Sequence, residues 1–447
     1  MKKSLIFTIC VVFLLSFASQ VYAQEKLSFY AAVKCALENN NDLKAMKKAL
    51  SANERDIGIA RSNIMPKAKF NEDFISTNNP AQVFALKLNQ TRLTSGDFAG
   101  APGSFNNPNN ITNFLTAISL EQPIYNRKSN IAIAMAKKEH SAQGYTYLRR
   151  QEELVNKVAQ AYLAVNTNQE FVKVTVLDIT DAKEHLRIAQ SRYKNEVGLY
   201  SDVLRAQTAE VEAQQNYVSA VKNLNIAQRA LGLLLGKQEK VDIIDSIPIL
   251  SIKNADYYNK NYLCRNDIKA MEINVENAKN GIKLANADIF PTLGANASYN
   301  LYNNSYPFGA EGNNYVAGAF LNWDIFDGNK RKYETLKAKD KEAEAKEYLE
   351  GLKKAVSYKV FESYSNVEES AKNFELALTS LKSAEEGKRL VFKRWESSLS
   401  PFVDLMDAQT NLDRARANVI KSKNNYKSAL ITLSFESGII TKELAID

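Results

Sequence analysis

The chain has 447 residues, with 17 Gly, 9 Pro, 24% charged residues and 45% hydrophobic residues. These values exclude a collagen-like or loop-rich chain and are typical of a protein with a large folded core. Two His and three Cys residues argue against a multi-histidine metal enzyme and a disulfide scaffold, so no metal site or cofactor is expected. The 58 basic residues are interspersed with 50 acidic ones at helical spacing, which argues against a nucleic-acid surface.

Residues 1–23 have the pattern of a secretory signal peptide, with Lys2 and Lys3 ahead of an apolar run and cleavage expected after Ala23. The apolar run is shorter than the ~20 residues that a membrane-spanning helix needs. Cys10 lies inside this run and not behind a cleavage site, so no lipid attachment is expected. The mature protein is therefore expected either to be soluble outside the cytoplasm or to enter a membrane as strands.

The mature chain consists of two copies of one unit about 200 residues long. Two pairs of matching segments show the duplication: 41–46 with 266–271, shifted by 225, and 202–208 with 404–410, shifted by 202. The smaller second shift indicates an insertion in the first copy. We therefore divide the chain into a first repeat, 24–247, and a second repeat, 248–447.

The hydrophobic period changes within each repeat from helical to alternating and back to helical. The alternation starts behind Pro66 and Pro291, and the proline-free runs that follow have apolar residues at steps of three and four, as in a coiled coil. Initial helices are expected at 28–64 and 251–288, strands at about 67–77, 113–125, 292–302 and 315–326, and long helices at about 126–197, 201–235, 328–397 and 401–436. Each repeat is thus predicted to be helix, β-hairpin, long helix, tip and returning helix.

Three local features complete this prediction. The stretch 78–110 is rich in Asn, Gly and Pro and is expected to be a long hairpin loop. The first tip is expected to turn at Gly198, and its returning helix to be capped by Ser201 or Asp202. Cys35 and Cys264 are favoured as two buried free thiols, although a disulfide between them stays open.

Enzyme motifs fail at specific positions. Gly232–Lys237 is too short for a phosphate loop, and Gln238 stands where Ser or Thr is needed. The segment instead has the pattern of an apolar helix end. His140 has no second His at zinc-protease spacing, and both it and His185 are expected on solvated helix faces. The sequence therefore predicts no enzymatic activity.

Four strands of about 10 residues with one apolar face are long enough to cross a bilayer at a tilt, but about eight are needed to close a barrel. Three chains lending four strands each would make a 12-stranded barrel, continued away from the membrane by the helices. A soluble β-sandwich with attached helices is the alternative, but it would leave two hairpins that are far apart in sequence poorly covered.

These features, in this order and twice over, resemble the TolC-type outer-membrane efflux proteins, the outer membrane factors of tripartite export systems. The likeness rests on the duplication and on four segments: the strand-to-helix junctions 120–125 and 323–328 and the tips 192–208 and 394–410. The resemblance implies a mainly α fold with a transmembrane β-barrel. It further implies a homotrimer with a 12-stranded barrel in the outer membrane and an α-helical tunnel in the periplasm.

The resemblance also implies site residues. Asp404 and Asp407 stand where the family has a periplasmic gate and selectivity ring, and their spacing places both on one helical face. The alternative is that they are first-turn acids favoured by the helix dipole. The residues that match the adaptor-binding tip are Val197, Gly198, Leu199, Tyr200, Ser201, Leu399, Ser400 and Pro401.

Inter-repeat gate contacts are implied for Ser201, Asp202 and Trp395. Ser400 replaces the arginine of the family's gate ion pair, so no salt bridge is assigned and a different or weaker closed-state lock is expected.

The function implied is a passive gated duct that works with a periplasmic adaptor (membrane fusion) protein and an inner-membrane pump. A non-conducting cell-envelope coiled-coil scaffold is the alternative. Whether drugs, metal ions or proteins are carried stays open, as do the identity of the pump and adaptor and the role of the long first loop.

Overall fold

The computed structural model describes residues 26–99 and 102–446. The expected signal peptide, with Cys10 and the cleavage site after Ala23, lies outside them. The helices are α1 (Phe29–Asn39), α2 (Asn41–Ser62), α3 (Pro80–Asn89), α4 (Ser95–Phe98), α5 (Gly103–Asn106), α6 (Arg127–Lys194), α7 (Tyr200–Leu234), α8 (Ala255–Asn261), α9 (Asn266–Ala285), α10 (Lys330–Glu396), α11 (Phe402–Glu436) and α12 (Ile440–Glu443). The strands are β1 (Lys26–Leu27), β2 (Lys67–Thr77), β3 (Ile111–Tyr125), β4 (Asp242–Ile243), β5 (Thr292–Asn303) and β6 (Gly312–Asn322). Within 26–99 and 102–446, every helix is either too short or too polar to span a bilayer.

The chain divides into two compact units, each with segments from both sequence repeats. Of the described residues, the helical unit contains 26–47, 147–268 and 352–446, and the strand-bearing unit contains 48–99, 102–146 and 269–351. The returning helices α7 and α11 both have 35 residues and begin 202 positions apart, the same shift that separates the matching segments 202–208 and 404–410.

The strand-bearing unit contains a four-stranded antiparallel sheet with the order β2-β3-β5-β6. Each repeat contributes one hairpin, as predicted, and the two hairpins join through β3 and β5. Edges at β2 and β6 are left open within the single chain. Open strand edges are templates for pairing with another chain.

The two faces of this sheet differ in chemistry. One row across the strands is Phe70, Ile118, Tyr299 and Tyr315, and all four side chains are exposed in the single chain. The next row, on the opposite face, is Asn71, Ala117, Asn300 and Asn314, where the Asn300 amide donates to Asn314 Oδ1 at 2.9 Å. We call these the apolar face and the polar face. An exposed apolar surface of this kind marks a contact with another protein or with lipid.

The prediction that the last strand covers 315–326 was wrong at its end, because β6 stops at Asn322. Asn322 pairs with Thr292, and the residue before Thr292 is Pro291, which has no N–H with which to continue the ladder. Trp323 instead donates its indole N–H to the carbonyl of Ile289 at 3.1 Å.

The structure also differs from three other expectations. The initial helix expected at 28–64 breaks at Asn40, whose Oδ1 accepts from Leu43 N at 3.1 Å and caps α2. The stretch 78–110, expected as a loop, contains α3, α4 and α5. Cys35 and Cys264 are both free thiols, but Cys35 is half-buried and Cys264 is exposed, where burial of both was expected.

The core of the helical unit is centred on Tyr162 of α6, which is fully buried. Its ring lies edge-on to Phe29 of α1, with 5.4 Å between the centroids, and its hydroxyl donates to Asp245. Both returning helices end at a glycine in the left-handed region, Gly236 after α7 (φ 74°) and Gly438 after α11 (φ 71°). The 232–237 segment is thus a helix terminus, as predicted, and not a phosphate loop.

Candidate functional site at the helix tips

The first tip joins α6 to α7 and belongs to the helical unit. α6 ends at Lys194, and Glu196 takes the left-handed conformation (φ 61°), so that Val197 N can bond to Arg192 O at 3.0 Å. Glu196, and not Gly198 as predicted, therefore ends the helix. Gly198 is required for steric reasons, because a Cβ there would lie 2.9 Å from the Cβ of Arg192. Only glycine lets the chain pass this close to the helix end.

The second tip repeats this geometry 202 positions later. Ser398 is left-handed (φ 57°), and Leu399 N bonds to the carbonyl of Arg394 at 2.8 Å. The returning helices begin one residue after Leu199 and Pro401, neither of which provides a side-chain cap. Ser201 and Asp202 therefore lie in the first turn of α7 and are not the N-caps that the sequence suggested.

An apolar cluster holds the two tips together. Trp395 of α10 is 5% exposed and packs with Phe402 and Leu405 of α11 and with Val203 and Ala206 of α7. The Trp395 and Phe402 ring centroids are 5.5 Å apart. The structure thus brings Trp395 against residues of the first repeat, and Val203, next to Asp202, supplies the contact from that turn.

Arg192 makes the inter-repeat polar contact that the sequence analysis missed. Its guanidinium lies 5.0 Å from the centroid of the Trp395 ring. It donates to the Trp395 and Glu396 carbonyls at 3.2 and 3.3 Å and to Ser398 Oγ at 2.7 Å. A cation that satisfies the last carbonyls of a helix also opposes the negative end of its dipole. Arg192 therefore fastens the end of α6 to the end of α10.

The expected gate and adaptor residues lie at the surface of this cluster. Asp404 and Asp407 are both exposed, and Asp404 accepts a hydrogen bond from Ser400 Oγ at 2.6 Å. The expected adaptor-binding side chains Val197, Leu199 and Leu399 are between 65% and 71% exposed. The tips therefore present an apolar end.

A polar layer lies among the helices next to the apolar cluster. Arg416 of α11 contacts Asp178 at 3.3 Å, Asp181 at 3.4 Å and Asp413 at 3.6 Å. The Gln409 amide nitrogen donates to Asp181 at 3.2 Å and to Asp413 at 2.8 Å. Burial and the neighbouring Asp413 carboxyl raise the pKa of Asp178 to about 7, and burial also raises the pKa of Asp413. One arginine contacts three carboxyls, and the raised pKa values mean that Asp178 and Asp413 keep a proton to higher pH than an exposed aspartate does.

His185 completes the polar layer. It is 4% exposed, so the expectation of a solvated position was wrong. The amide nitrogen of Gln409 donates to the two carboxylates, so Gln409 Oε1 is free to accept a hydrogen bond from His185 Nε2 at 3.3 Å. Burial lowers the pKa of the His185 imidazole. A cavity of about 650 Å³ beside the layer is lined by α6, α7 and α11. The sequence could not show this burial, because it depends on a residue of the other repeat.

The described fold is a two-repeat protein of long paired helices with an open four-stranded antiparallel sheet. The model of the outer membrane efflux protein family matches residues 32–237 and 260–438, and the chain belongs to this family. It is 26% identical over 339 residues to outer membrane protein TolC of Vibrio cholerae, covering 71% of this chain and 76% of that protein. It is 20% identical over 423 residues to the alkaline protease secretion protein AprF of Pseudomonas aeruginosa, covering 91% of this chain and 83% of that protein.

Solved structures share the fold at lower identity. The crystal structure of CusC aligns with a TM-score of 0.78 at 13% identity, over 93% of both chains. The outer membrane protein VceC of Vibrio cholerae aligns with a TM-score of 0.74 at 13% identity, over 92% of this chain and 96% of that one.

Proposed function

We propose that this protein is the outer-membrane channel of a tripartite efflux or type I secretion system, a passive gated duct from an inner-membrane pump through periplasm and outer membrane. The observation that carries the proposal is the sheet, which has an apolar face, a polar face and two open edges. A four-stranded sheet cannot be left open in lipid, whereas three copies joined edge to edge would make a closed 12-stranded barrel with a polar lumen. Family membership supports the same assembly.

The first test is the native mass of the mature protein, with and without detergent. We expect a three-chain particle in the outer-membrane detergent extract, and ion conductance when that particle is inserted into a planar bilayer. A monomer that stays in solution without detergent contradicts the barrel. A trimer that never conducts supports the alternative, a non-conducting cell-envelope coiled-coil scaffold.

The exposed tips are proposed to meet a periplasmic adaptor protein. Val197, Leu199 and Leu399 expose apolar side chains at the end of the helical unit, where they would bury surface against the helical hairpins of an adaptor. Ser201 and Asp202 are proposed to change their contacts when the tips separate, with Trp395 as the apolar anchor.

Asp404 and Asp407 are proposed to form an acidic ring at the periplasmic mouth. Six carboxylates around the axis of a trimer would attract cations and hold them at the constriction. Replacing both with Ala should therefore weaken block by divalent or trivalent cations added on the tip side, roughly tenfold or more in blocking concentration, since an exposed charge contact is worth about 1 kcal/mol and several act together.

The control for this prediction removes two exposed aspartates of the strand-bearing unit, Asp56 and Asp340. It removes the same number of negative charges but should leave cation block unchanged. Equal block in the wild type and in the Asp404 and Asp407 variant would remove the ring assignment and favour the helix-dipole explanation of these two acids.

A further inference from the structure

The insertion in the first hairpin is a folded element that reaches across the sheet. α3 begins three residues after β2 and ends beside the first residue of β6, where the Cβ position of Gly312 is 1.9 Å from the carbonyl oxygen of Asn89. β2 and β6 are the two edges of the sheet. A ten-residue helix is about 15 Å long, and three inter-strand gaps amount to about 14 Å. α3 therefore crosses the full width of the sheet.

Buried hydrogen bonds hold the far end of α3 in place. Gln90 is fully buried, and its amide nitrogen donates to the Thr112 carbonyl and to Asn113 Oδ1, both at 2.9 Å. Thr91 is left-handed (φ 54°), and its hydroxyl donates to the Glu311 carbonyl at 2.7 Å. These bonds tie the insertion to β3 and to the connection between β5 and β6, so it is docked and not a free loop.

The docking positions belong to the polar face. Gly312 lies two residues from Asn314, and Asn113 lies four residues from Ala117, and the strand pairing is continuous between the two residues in both cases. Side chains two or four residues apart on a strand share a face. Asn314 and Ala117 lie in the polar row described above, so α3 covers the end of the polar face away from the junctions with α6 and α10.

We infer that α3 is a cap on the outer end of the duct. The inference rests on the proposed function, in which the polar face lines the lumen of a trimeric barrel. Three copies of α3, each about 10 Å thick with side chains, would then narrow the barrel mouth. Phe84 and Leu88 of α3 remain exposed and would form an apolar lip. Bulky solutes leaving the duct must displace α3 from Gly312, whereas ions and water pass between the three copies.

The test measures access to the lumen from outside intact cells. Ser298 lies on the polar face of β5 and is replaced by Cys in a background with Cys35→Ser and Cys264→Ser. A small methanethiosulfonate and a bulky polyethylene-glycol maleimide are applied from outside. Two variants release the cap: replacement of residues 78–110 by a two-residue Asn-Gly turn, and Gly312→Ala, whose added methyl collides with the carbonyl of Asn89.

We expect the bulky reagent to label S298C at least roughly tenfold faster in both cap variants, since the two Gln90 bonds that anchor α3 are weakened or lost. The small reagent should label all proteins at one rate. Gly103→Ala is the matched control, because a Cβ there meets open space. The native mass of each variant shows whether it still assembles. If the variant with residues 78–110 replaced does not assemble, the labelling rate of the Gly312→Ala variant tests the cap.

Equal labelling by the bulky reagent in the wild type and the cap variants would overturn the cap, while conductance of the trimer would leave the duct standing. Failure of both reagents to reach S298C in every variant would contradict the lumen itself, and with it the proposed function.

Discussion

Removing the guanidinium of Arg192 should open the helix tips and raise the open probability of the channel. Arg192 donates to two carbonyls at the end of α10 and to Ser398 Oγ and stacks over Trp395. Hydrogen bonds from a charged group contribute about 1.5–3 kcal/mol and a cation–π contact about 0.5–1 kcal/mol. Together these amount to about 2–4 kcal/mol, so Arg192→Ala is expected to shift the closed-to-open ratio by about 30-fold to 700-fold, read as open probability in planar bilayers.

Arg187→Ala is the matched control, because Arg187 lies on the same helix and, within the described part of the chain, its ion pair is with Glu184 one turn away, with both side chains exposed. That pair should contribute little. Arg192→Lys keeps the charge but loses the planar fork and should give an intermediate result. If Arg192→Ala and Arg187→Ala conduct alike, Arg192 does not hold the tips closed.

Trp395→Ala provides an independent check on the same cluster. It empties a buried aromatic position and should cost about 3–5 kcal/mol of local stability. Hydrogen exchange in 391–406 should accelerate while exchange around Tyr162 stays unchanged, because the two clusters are separate.

The element order could be predicted from the sequence because period and proline position are local signals. The prediction of about 201–235 for a returning helix lies one residue from α7 at both ends. The last strand was extended too far because the alternation continues through Trp323 and Ile325, while the pairing stops at Pro291 on the neighbouring strand. Strand pairing depends on both strands, so the alternation of apolar residues in one strand cannot show where the pairing ends.

At the helix tips, the sequence indicated mainly those candidate site residues whose side chains are exposed. The apolar tip and the exposed acids were indicated by the resemblance to the outer-membrane efflux proteins. Arg192 and His185 could not, because their partners Trp395 and Gln409 lie more than 200 residues away. In the sequence, an arginine at the C-terminal end of a helix is explained by its favourable interaction with the helix dipole. A histidine on a long polar helix is expected to be exposed to solvent. Only packing of the two repeats distinguishes these cases.

The polar layer should give the tips a two-sided dependence on pH. From α6 it contains Asp178, Asp181 and His185, from α7 Arg205 and Glu212, from α10 Lys388 and from α11 Asp413, Arg414 and Arg416. The pKa of Asp178 is raised to about 7 from an unfolded value of about 3.9, so the folded tip binds the additional proton between these values. The contribution of Asp178 to the stability of the folded tip is therefore complete at low pH and is lost as pH rises through about 7.

His185 acts in the opposite direction. Its pKa is lowered by burial, so its contribution is present above the unfolded value of about 6.5 and is lost as pH falls through the folded value. His185→Gln should therefore leave only the carboxyl effect, with tip stability falling from pH 5 to pH 7 by at most about 1.4 kcal/mol per pH unit for one proton. Asp178→Asn keeps a donor beside Asp413 and removes the Asp178 part of the carboxyl effect, so the histidine effect should dominate and stability should fall on acidification.

Hydrogen exchange in 178–190 and 402–416, followed from pH 5 to pH 8 with correction for the intrinsic rate, measures both slopes. Asp256→Asn, an exposed aspartate elsewhere in the helical unit, is the control and should follow the wild type. Parallel profiles for all four proteins would mean that the layer is solvated and binds no proton near neutrality. Opposite slopes in the two variants would establish that protonation of Asp178 holds the tips together and that protonation of His185 loosens them.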